Sequence, residues 1–75
     1  MRHLGPKDAP KVAPITAEQI RTMRERAKMS QAVFARYLNL TVGYVSQLER
    51  GAKQPTGAAL ALLNVIKRKG IEAIL

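Results

Sequence analysis

The side chains with the most chemistry to offer are thirteen lysine and arginine residues, set against only five aspartate and glutamate residues. The net charge of +8 is spread along the whole chain and favours a polyanionic partner, because counterions released from phosphates supply much of the non-specific affinity for nucleic acids. The same balance also suits ribosomal proteins and peptides that bind membrane surfaces. Charge therefore indicates a class of partner, and the choice within that class rests on motifs.

Side chains suited to catalysis or to metal binding are scarce. The chain has no cysteine, its single histidine is His3, and it contains no glycine-rich phosphate-binding loop. This leaves no activated nucleophile and no set of metal ligands, since the serine and threonine residues are placed mainly as helix caps. We therefore expect a protein that is not an enzyme and that needs no cofactor or metal ion.

The first 14 residues differ in composition from the rest of the chain. They contain three of the four prolines, so we expect a flexible, basic arm over residues 1–14 and a single folded domain over residues 15–75. The apolar stretches are too short for a membrane span, and prolines interrupt the region where a signal peptide would need an apolar helix. A cytoplasmic location is the default expectation.

From Ile15 onward the sequence has the pattern of short helices. Three helix starts share one signature, a serine or threonine cap and an apolar pair that brackets the first turn. The caps are Thr16, Ser30 and Thr41, and the apolar pairs are Ile15 with Ile20, Met29 with Phe34, and Leu40 with Val45. Thr16 with Gln19 also fits a capping box.

These starts predict helices over residues 17–28, 31–38 and 42–50, and a fourth over residues 57–68, capped by Thr56. Their helical spacing indicates which apolar residues form the core. The expected core residues are Ile20, Met23, Ala27, Phe34, Ala35, Leu38, Val45, Leu48, Leu60, Leu63 and one of Val65 or Ile66. The prediction is an all-α bundle of four helices, with a short fifth helix at the C-terminus.

Only residues 39–41 separate the second and third predicted helices. So short a connection favours the near-perpendicular crossing of a helix-turn-helix over antiparallel packing. Ala35 then lies where the two helices touch, and a larger side chain would push them apart. Asn39 lies in the turn, where the backbone is usually left-handed and where asparagine is the most tolerant residue after glycine. The motif is complete, with Asn39 as its one departure from the commonest residue.

At these residues the chain resembles the Cro and phage-repressor family of helix-turn-helix proteins, also called the xenobiotic-response-element type. The resemblance runs from about Ile15 to Ile66 and is carried by the segment MSQAVFARYLNLTVGYVSQLERGAKQPTGAALALL. Within the family, the run PTGAALALLNVI is most similar to HigA-type antitoxins of toxin-antitoxin operons. The resemblance implies a lambda-repressor-like bundle that binds double-stranded operator DNA.

The same resemblance implies roles for individual residues. The positions facing base edges are Gln47, Ser46, Val42 and Gly43, and the positions contacting phosphates are Gln31, Tyr44, Arg50, Lys53 and Gln54. Gln47 can pair with N6 and N7 of adenine, whereas Val42 offers only an apolar contact to a thymine methyl and Gly43 offers no side chain. Arg24 and Glu49 match a pair that forms a structural salt bridge between the first helix and the recognition helix.

These roles predict a transcriptional repressor that binds an inverted repeat as a homodimer, because one module with so few base contacts is weak and unspecific. Two recognition helices about 34 Å apart would reach successive major-groove faces. We expect the dimer surface on the fourth helix and the tail, where Ile71, Ile74 and Leu75 have no evident burial site. Such a protein would act at the nucleoid of a bacterium or on phage DNA.

The HigA-like resemblance adds an RNase-type toxin as a partner and repression of the protein's own operon. Two alternatives stay open: a phage-type repressor without a toxin, and a protein-interaction module that neutralises a toxin without reading DNA. The arm over residues 1–14 also allows several roles. It can fold on a toxin, lay Arg2, Lys7 and Lys11 along DNA, or have no role.

Overall fold

The computed structural model describes residues 12–74, with side chains described as far as Glu72. It contains the helices α1 (Ala17–Arg26), α2 (Gln31–Leu38), α3 (Val42–Glu49) and α4 (Gly57–Lys69), followed by a short 3₁₀ helix, Ile71–Ile74. Within these residues there is no strand, and no helix is long and apolar enough to cross a lipid bilayer. The fold is all-α, as the sequence predicts.

Hydroxyl caps start the first three helices at the predicted residues. The Thr16 hydroxyl accepts the Gln19 backbone N–H at 3.1 Å, and the Gln19 side-chain oxygen accepts the Thr16 N–H at 2.9 Å, which completes the predicted capping box. The hydroxyls of Ser30 and Thr41 each accept the backbone N–H three residues further on, at 3.2 and 3.1 Å. These bonds satisfy helix donors that have no partner within the helix.

The cap predicted for the fourth helix is only partly correct. Thr56 has the extended backbone of a cap residue, but its side chain makes no capping hydrogen bond. The next residue, Gly57, has a φ of 57° and not a helical value, which distorts the turn that the cap would close. At the end of the first helix the prediction is two residues too long, because Lys28 takes a left-handed φ of 57° without being a glycine.

One hydrophobic core joins the helices. The predicted core residues that the structure buries are Ile20, Phe34, Ala35, Leu38, Val45, Leu48, Leu63 and Ile66. Met23, Ala27 and Leu60 are partly buried against this cluster. Ile15, which precedes α1, is also buried, so the apolar pair that brackets the first turn closes onto the core.

The C-terminal tail differs from its prediction. Ile71 is only 9% exposed and belongs to the core of this chain, where the 3₁₀ helix packs against α4. The prediction that Ile71 needs a second copy of the chain for burial is therefore wrong, because the chain turns back after Gly70 and covers it. Ile74 and Leu75, the other two residues predicted for a dimer surface, have side chains outside the described residues.

The segment before α1 is docked on α4 through one buried side chain, Asn64, which is 5% exposed. Its amide oxygen accepts the Ala13 N–H at 3.1 Å, and its amide nitrogen donates to the carbonyl oxygens of Ala13 and Leu60, both at 2.9 Å. Ala13, within the predicted flexible arm, is therefore hydrogen-bonded to α4 through both its N–H and its carbonyl oxygen. The rest of that arm, residues 1–11, lies outside the described residues.

The turn between α2 and α3 has the predicted conformation. Asn39 is left-handed, with φ 58° and ψ 41°, and the N–H of Leu40 donates to the carbonyl oxygen of Ala35 at 2.8 Å. Ala35 is 2% exposed between the two helices. A small residue at the crossing and a left-handed residue in the turn together set the angle at which α3 leaves α2.

Replacing Asn39 tests the backbone requirement of this turn. We expect Asn39→Ala to lower the free energy of unfolding by about 1 kcal/mol, because a left-handed conformation brings Cβ too close to the following carbonyl oxygen. Asn39→Gly, the control, should be at least as stable as the wild type, since glycine has no Cβ. Urea denaturation followed by circular dichroism measures both, and equal stability of the two variants would contradict the assignment.

Candidate nucleic-acid interface

α3 has one face in the core and the other face open. Val45 and Leu48 are 0% and 1% exposed, which fixes the rotation of the helix about its own axis. The opposite side forms a shallow open groove of about 480 Å³. Its lining residues are Thr41, Gly43, Tyr44, Ser46, Gln47, Arg50 and Lys53. Polar and basic side chains are thereby gathered on one exposed surface, which we call the α3 groove.

Six of the nine residues predicted to contact DNA line the α3 groove. The other three lie around it. Val42 is 49% exposed at the start of the helix. Gln54 is exposed and lines a separate hollow beside Pro55, while the Gln31 side chain is hydrogen-bonded to Glu49. The structure thus brings most of the predicted set together, and contact of these residues with DNA stays a prediction.

The loop after α3 folds back so that two basic side chains border the groove. The carbonyl oxygen of Gln47 accepts the N–H groups of Ala52 and Lys53, at 2.9 and 3.3 Å. Arg50 donates from Nε to the carbonyl oxygen of Ser46 at 3.3 Å, which aligns its side chain along the helix. The Gln47 amide makes no hydrogen bond to another side chain or backbone group of residues 12–72, so its donors and acceptor remain available.

A buried carboxylate, Glu49, holds α3 in place from its C-terminal end. Arg24 donates to the two oxygens of Glu49 from Nε and Nη2, at 2.6 and 3.0 Å, and from Nη1 to the carbonyl oxygen of Met29 at 3.0 Å. Gln31 donates to Glu49 at 3.2 Å. This junction links α1, α2 and α3, and it contains the salt bridge that the resemblance implies between Arg24 and Glu49.

The ionisation of this junction follows from its contacts. Burial raises the pKa of the Glu49 carboxyl, but the hydrogen bonds from Arg24 and Gln31, together with the charge of Arg24, outweigh burial and hold that pKa below its ordinary value. The hydrogen bond to Glu49 raises the pKa of Arg24 despite the opposing effect of burial. Both groups are therefore charged at neutral pH, and each compensates the burial of the other.

Asn64, which docks the segment before α1, was missed by sequence reasoning. The signal was present, because Asn64 is the single polar residue in the apolar run LALLNVI and a buried polar side chain requires hydrogen-bond partners. Its partner, Ala13, lies 51 residues away.

Groups of three or more side chains able to hold a metal ion do not occur among the described residues.

Comparison with known proteins fits this geometry. A helix-turn-helix family model matches residues 20–64, which extend from α1 into α4 and include the whole turn. The chain belongs to the helix-turn-helix family. Its all-α bundle is lambda-repressor-like and is of the Cro and phage-repressor type. The chain forms a DNA-binding domain typical of transcription regulators.

A similarity to one group of antitoxins accompanies the family match. Antitoxin HigA-2 of Vibrio cholerae serotype O1 is 35% identical to this chain over 54 residues, which are 72% of this chain and 52% of that protein. The helix-turn-helix chain therefore spans about half the length of this curated relative. The similarity agrees with the HigA-type resemblance of the sequence.

The buried carboxylate makes stability depend on pH. Because the pKa of Glu49 is lowered in the folded state, its contribution is fully present above the ordinary carboxyl pKa and is lost as pH falls through the folded value. We expect the free energy of unfolding, measured by urea denaturation, to change little from pH 7 to about pH 5 and to fall below about pH 4.5.

Glu49→Gln should lower stability at pH 7 by about 3 kcal/mol, since it leaves the partly buried Arg24 without its anion, and should flatten the acid dependence. Glu18→Gln, at an exposed position of α1 away from Arg24, is the matched control and should change stability by no more than about 1 kcal/mol. An acid profile of Glu49→Gln identical to that of the wild type would exclude Glu49 as its source.

Proposed function

We propose that this chain is a sequence-specific DNA-binding repressor that reads the major groove of an operator with α3. The observation that carries the proposal is the α3 groove: six predicted contact residues share one exposed surface of a family whose fold binds DNA. The opposite face of the same helix is locked in the core. A rigid helix with an open polar face has the form that major-groove reading requires.

Base recognition is assigned to the middle of α3. The Gln47 amide offers one donor and one acceptor to N7 and N6 of adenine, and Ser46 beside it can bond either kind of base edge. Val42 supplies an apolar surface for a thymine methyl. Three groove residues, Tyr44, Arg50 and Lys53, would bind phosphates. Binding alone accounts for this function, so we propose no enzymatic activity.

The N-terminal end of α2 would supply a further phosphate contact. Gln31 donates one amide N–H to Glu49, and its second amide N–H can donate to a phosphate oxygen. Gln54 in the loop before α4 is exposed and completes the proposed set. In this arrangement Gln31 couples phosphate binding to the position of α3, because the same side chain touches both.

We further propose that the protein binds an inverted repeat as a homodimer through the outer face of α4. Ala58 and Ala61 are exposed there, and Val65 is half-buried without belonging to the core cluster. These positions are spaced i, i+3 and i+7, which places them on one stripe of the helix. This stripe takes the place of Ile71 in the proposed dimer surface, and the operator is expected to have two half-sites one helical turn apart.

The similarity to an antitoxin supports a finer proposal. The relative's name describes an antitoxin, and the run after the recognition helix resembles HigA-type antitoxins. We infer that the chain represses its own operon and neutralises an RNase-type toxin. Its site of action would then be the operon DNA at the nucleoid. A phage-type repressor without a toxin uses the same DNA surface and differs only in this second partner.

DNA binding through Gln47 can be measured with a duplex that the protein selects from a random library. We expect Gln47→Ala to weaken binding by about 1–3 kcal/mol and to relax preference at one base position only. Lys53→Ala should weaken binding to all sequences and reduce the salt dependence by about one released counterion. Lys67→Ala, the same exchange at an exposed position of α4 outside the proposed dimer stripe, is the control and should leave the salt dependence unchanged.

Failure of the wild-type protein to prefer any duplex over heparin would refute the operator proposal. It would favour the protein-interaction module, whose binding of a toxin does not require the α3 groove. Unchanged base preference in Gln47→Ala would refute base reading by Gln47 and leave the operator proposal in place.

The dimer proposal predicts the effect of a charge on the outer face of α4. Ala61→Arg should convert the dimer into a monomer in sedimentation velocity, because burying an unpaired charge in an apolar interface is unfavourable. It should also weaken binding to the inverted repeat more than binding to a single half-site. Thr22→Arg, which adds the same charge on exposed α1, should remain dimeric. A dimer that survives Ala61→Arg places the interface elsewhere.

A further inference from the structure

The backbone conformation of the protein does not require glycine at position 43. Of the glycines in residues 12–74, Gly51, Gly57 and Gly70 have φ values of 76°, 57° and 86°, which L side chains rarely adopt. Gly43 is not among the positive-φ residues and lies within the regular helix α3. Any residue type fits the backbone at this position.

Packing does not explain Gly43 either. A Cβ atom added to Gly43 would have no neighbour within 4 Å, whereas one added to Gly70 would lie 2.5 Å from a carboxylate oxygen of Glu72. Glycine within a helix is less favourable than alanine, because it loses more backbone freedom on folding. Glycine at position 43 therefore lowers helix stability relative to alanine without relieving any clash in the fold.

The equivalent positions of two neighbouring helices show the residue that the fold alone would accept. The second residue of α2 is Ala32 and the second residue of α4 is Ala58, and both are exposed. Gly43 is the second residue of α3 and is exposed as well. Of these three helices, only α3 has glycine at its second position. α3 also carries the α3 groove, and Gly43 lines that groove.

The spacing along α3 places Gly43 beside the proposed base-reading side chains. Residues three and four apart lie on the same face of a helix, so Gly43 shares its face with Ser46 and Gln47. A Cβ atom at position 43 would project about 1.5 Å from the backbone into the space in front of this face. The amide of Gln47 needs a donor–acceptor distance of about 3 Å to bond a base, so an outward shift of that size breaks the contact.

We propose that Gly43 determines specificity by its lack of a side chain: it lets the start of α3 lie directly against the floor of the major groove and brings Gln47 within reach of a base. The inference rests on the proposed function, since it requires that α3 enters DNA. It adds a steric role at a position that offers no hydrogen bond of its own.

The test compares variants of increasing side-chain size on the full chain, using a duplex selected from a random library by the wild-type protein. Gly43→Ala should have a Tm equal to or higher than that of the wild type and an affinity for the selected duplex about tenfold lower, as for the loss of one good base contact. Gly43→Leu should weaken this binding further. Affinity for duplex of random sequence, which depends on phosphates, should change by less than about twofold.

Ala32→Gly is the matched control, since it exchanges the same two residue types at the exposed second position of α2. It should lower the Tm and leave the affinity for the selected duplex unchanged. Wild-type affinity of Gly43→Ala for the selected duplex overturns the role of Gly43 while the proposed function stands. Equal losses for selected and random duplex also overturn it, because they indicate a general effect on binding. A wild-type protein without any sequence preference overturns both proposals.

Discussion

The rest of the structure depends on the burial of one carboxylate, that of Glu49. Glu49 is the last residue of α3, where the negative end of the helix dipole disfavours an anion, and it is removed from water as well. Two bonds from Arg24 and one from Gln31 compensate for both effects. Since Arg24 also bonds the carbonyl oxygen of Met29 before α2, three helices meet at one charge. Packings that separate these helices would leave the buried charge unpaired, which disfavours them.

The fixed position of α3 divides the helix into one face that packs in the core and one face that is open to a ligand. Val45 and Leu48 set the rotation of the helix, and Glu49 sets the position of its far end. The remaining face lies largely outside the core, although Tyr44 packs partly against it. The side-chain amide of Gln47 has no hydrogen-bond partner within the described part of the protein. The loop that carries Lys53 is fixed in turn by the carbonyl oxygen of Gln47. The surface is thus assembled before any ligand is present, which reduces the ordering that binding requires.

What the sequence predicts correctly is mostly local. The caps at Thr16, Ser30 and Thr41 act over three residues, and the left-handed turn at Asn39 is a property of one residue, so a short window contains their full cause. The errors at Ile71 and Ala13 have causes outside that window, whereas the errors at Lys28 and Thr56 come from local backbone conformation. Ile71 is buried because the chain reverses after α4, and Ala13 is docked because its backbone bonds the side chain of Asn64. Neither contact can be derived from helical spacing, since it depends on how separate helices pack. The α3 groove lies between these cases: its residues follow from a family motif, whereas its shared surface follows from the packing of α3.

The proposed interface contains few groups that can distinguish bases. Of the four positions proposed to face base edges, Val42 is apolar and Gly43 has no side chain, which leaves Gln47 and Ser46 for direct readout. The charged groups around them, such as Arg50 and Lys53, are proposed to contact phosphates, which are alike in every sequence. A helix that lies deep in the groove, with its phosphate contacts fixed by the folded loop, tolerates only duplexes whose groove width and backbone spacing match. Sequence preference in such an interface arises largely from the deformability of the DNA, because a rigid protein surface transfers the strain of any mismatch to the duplex.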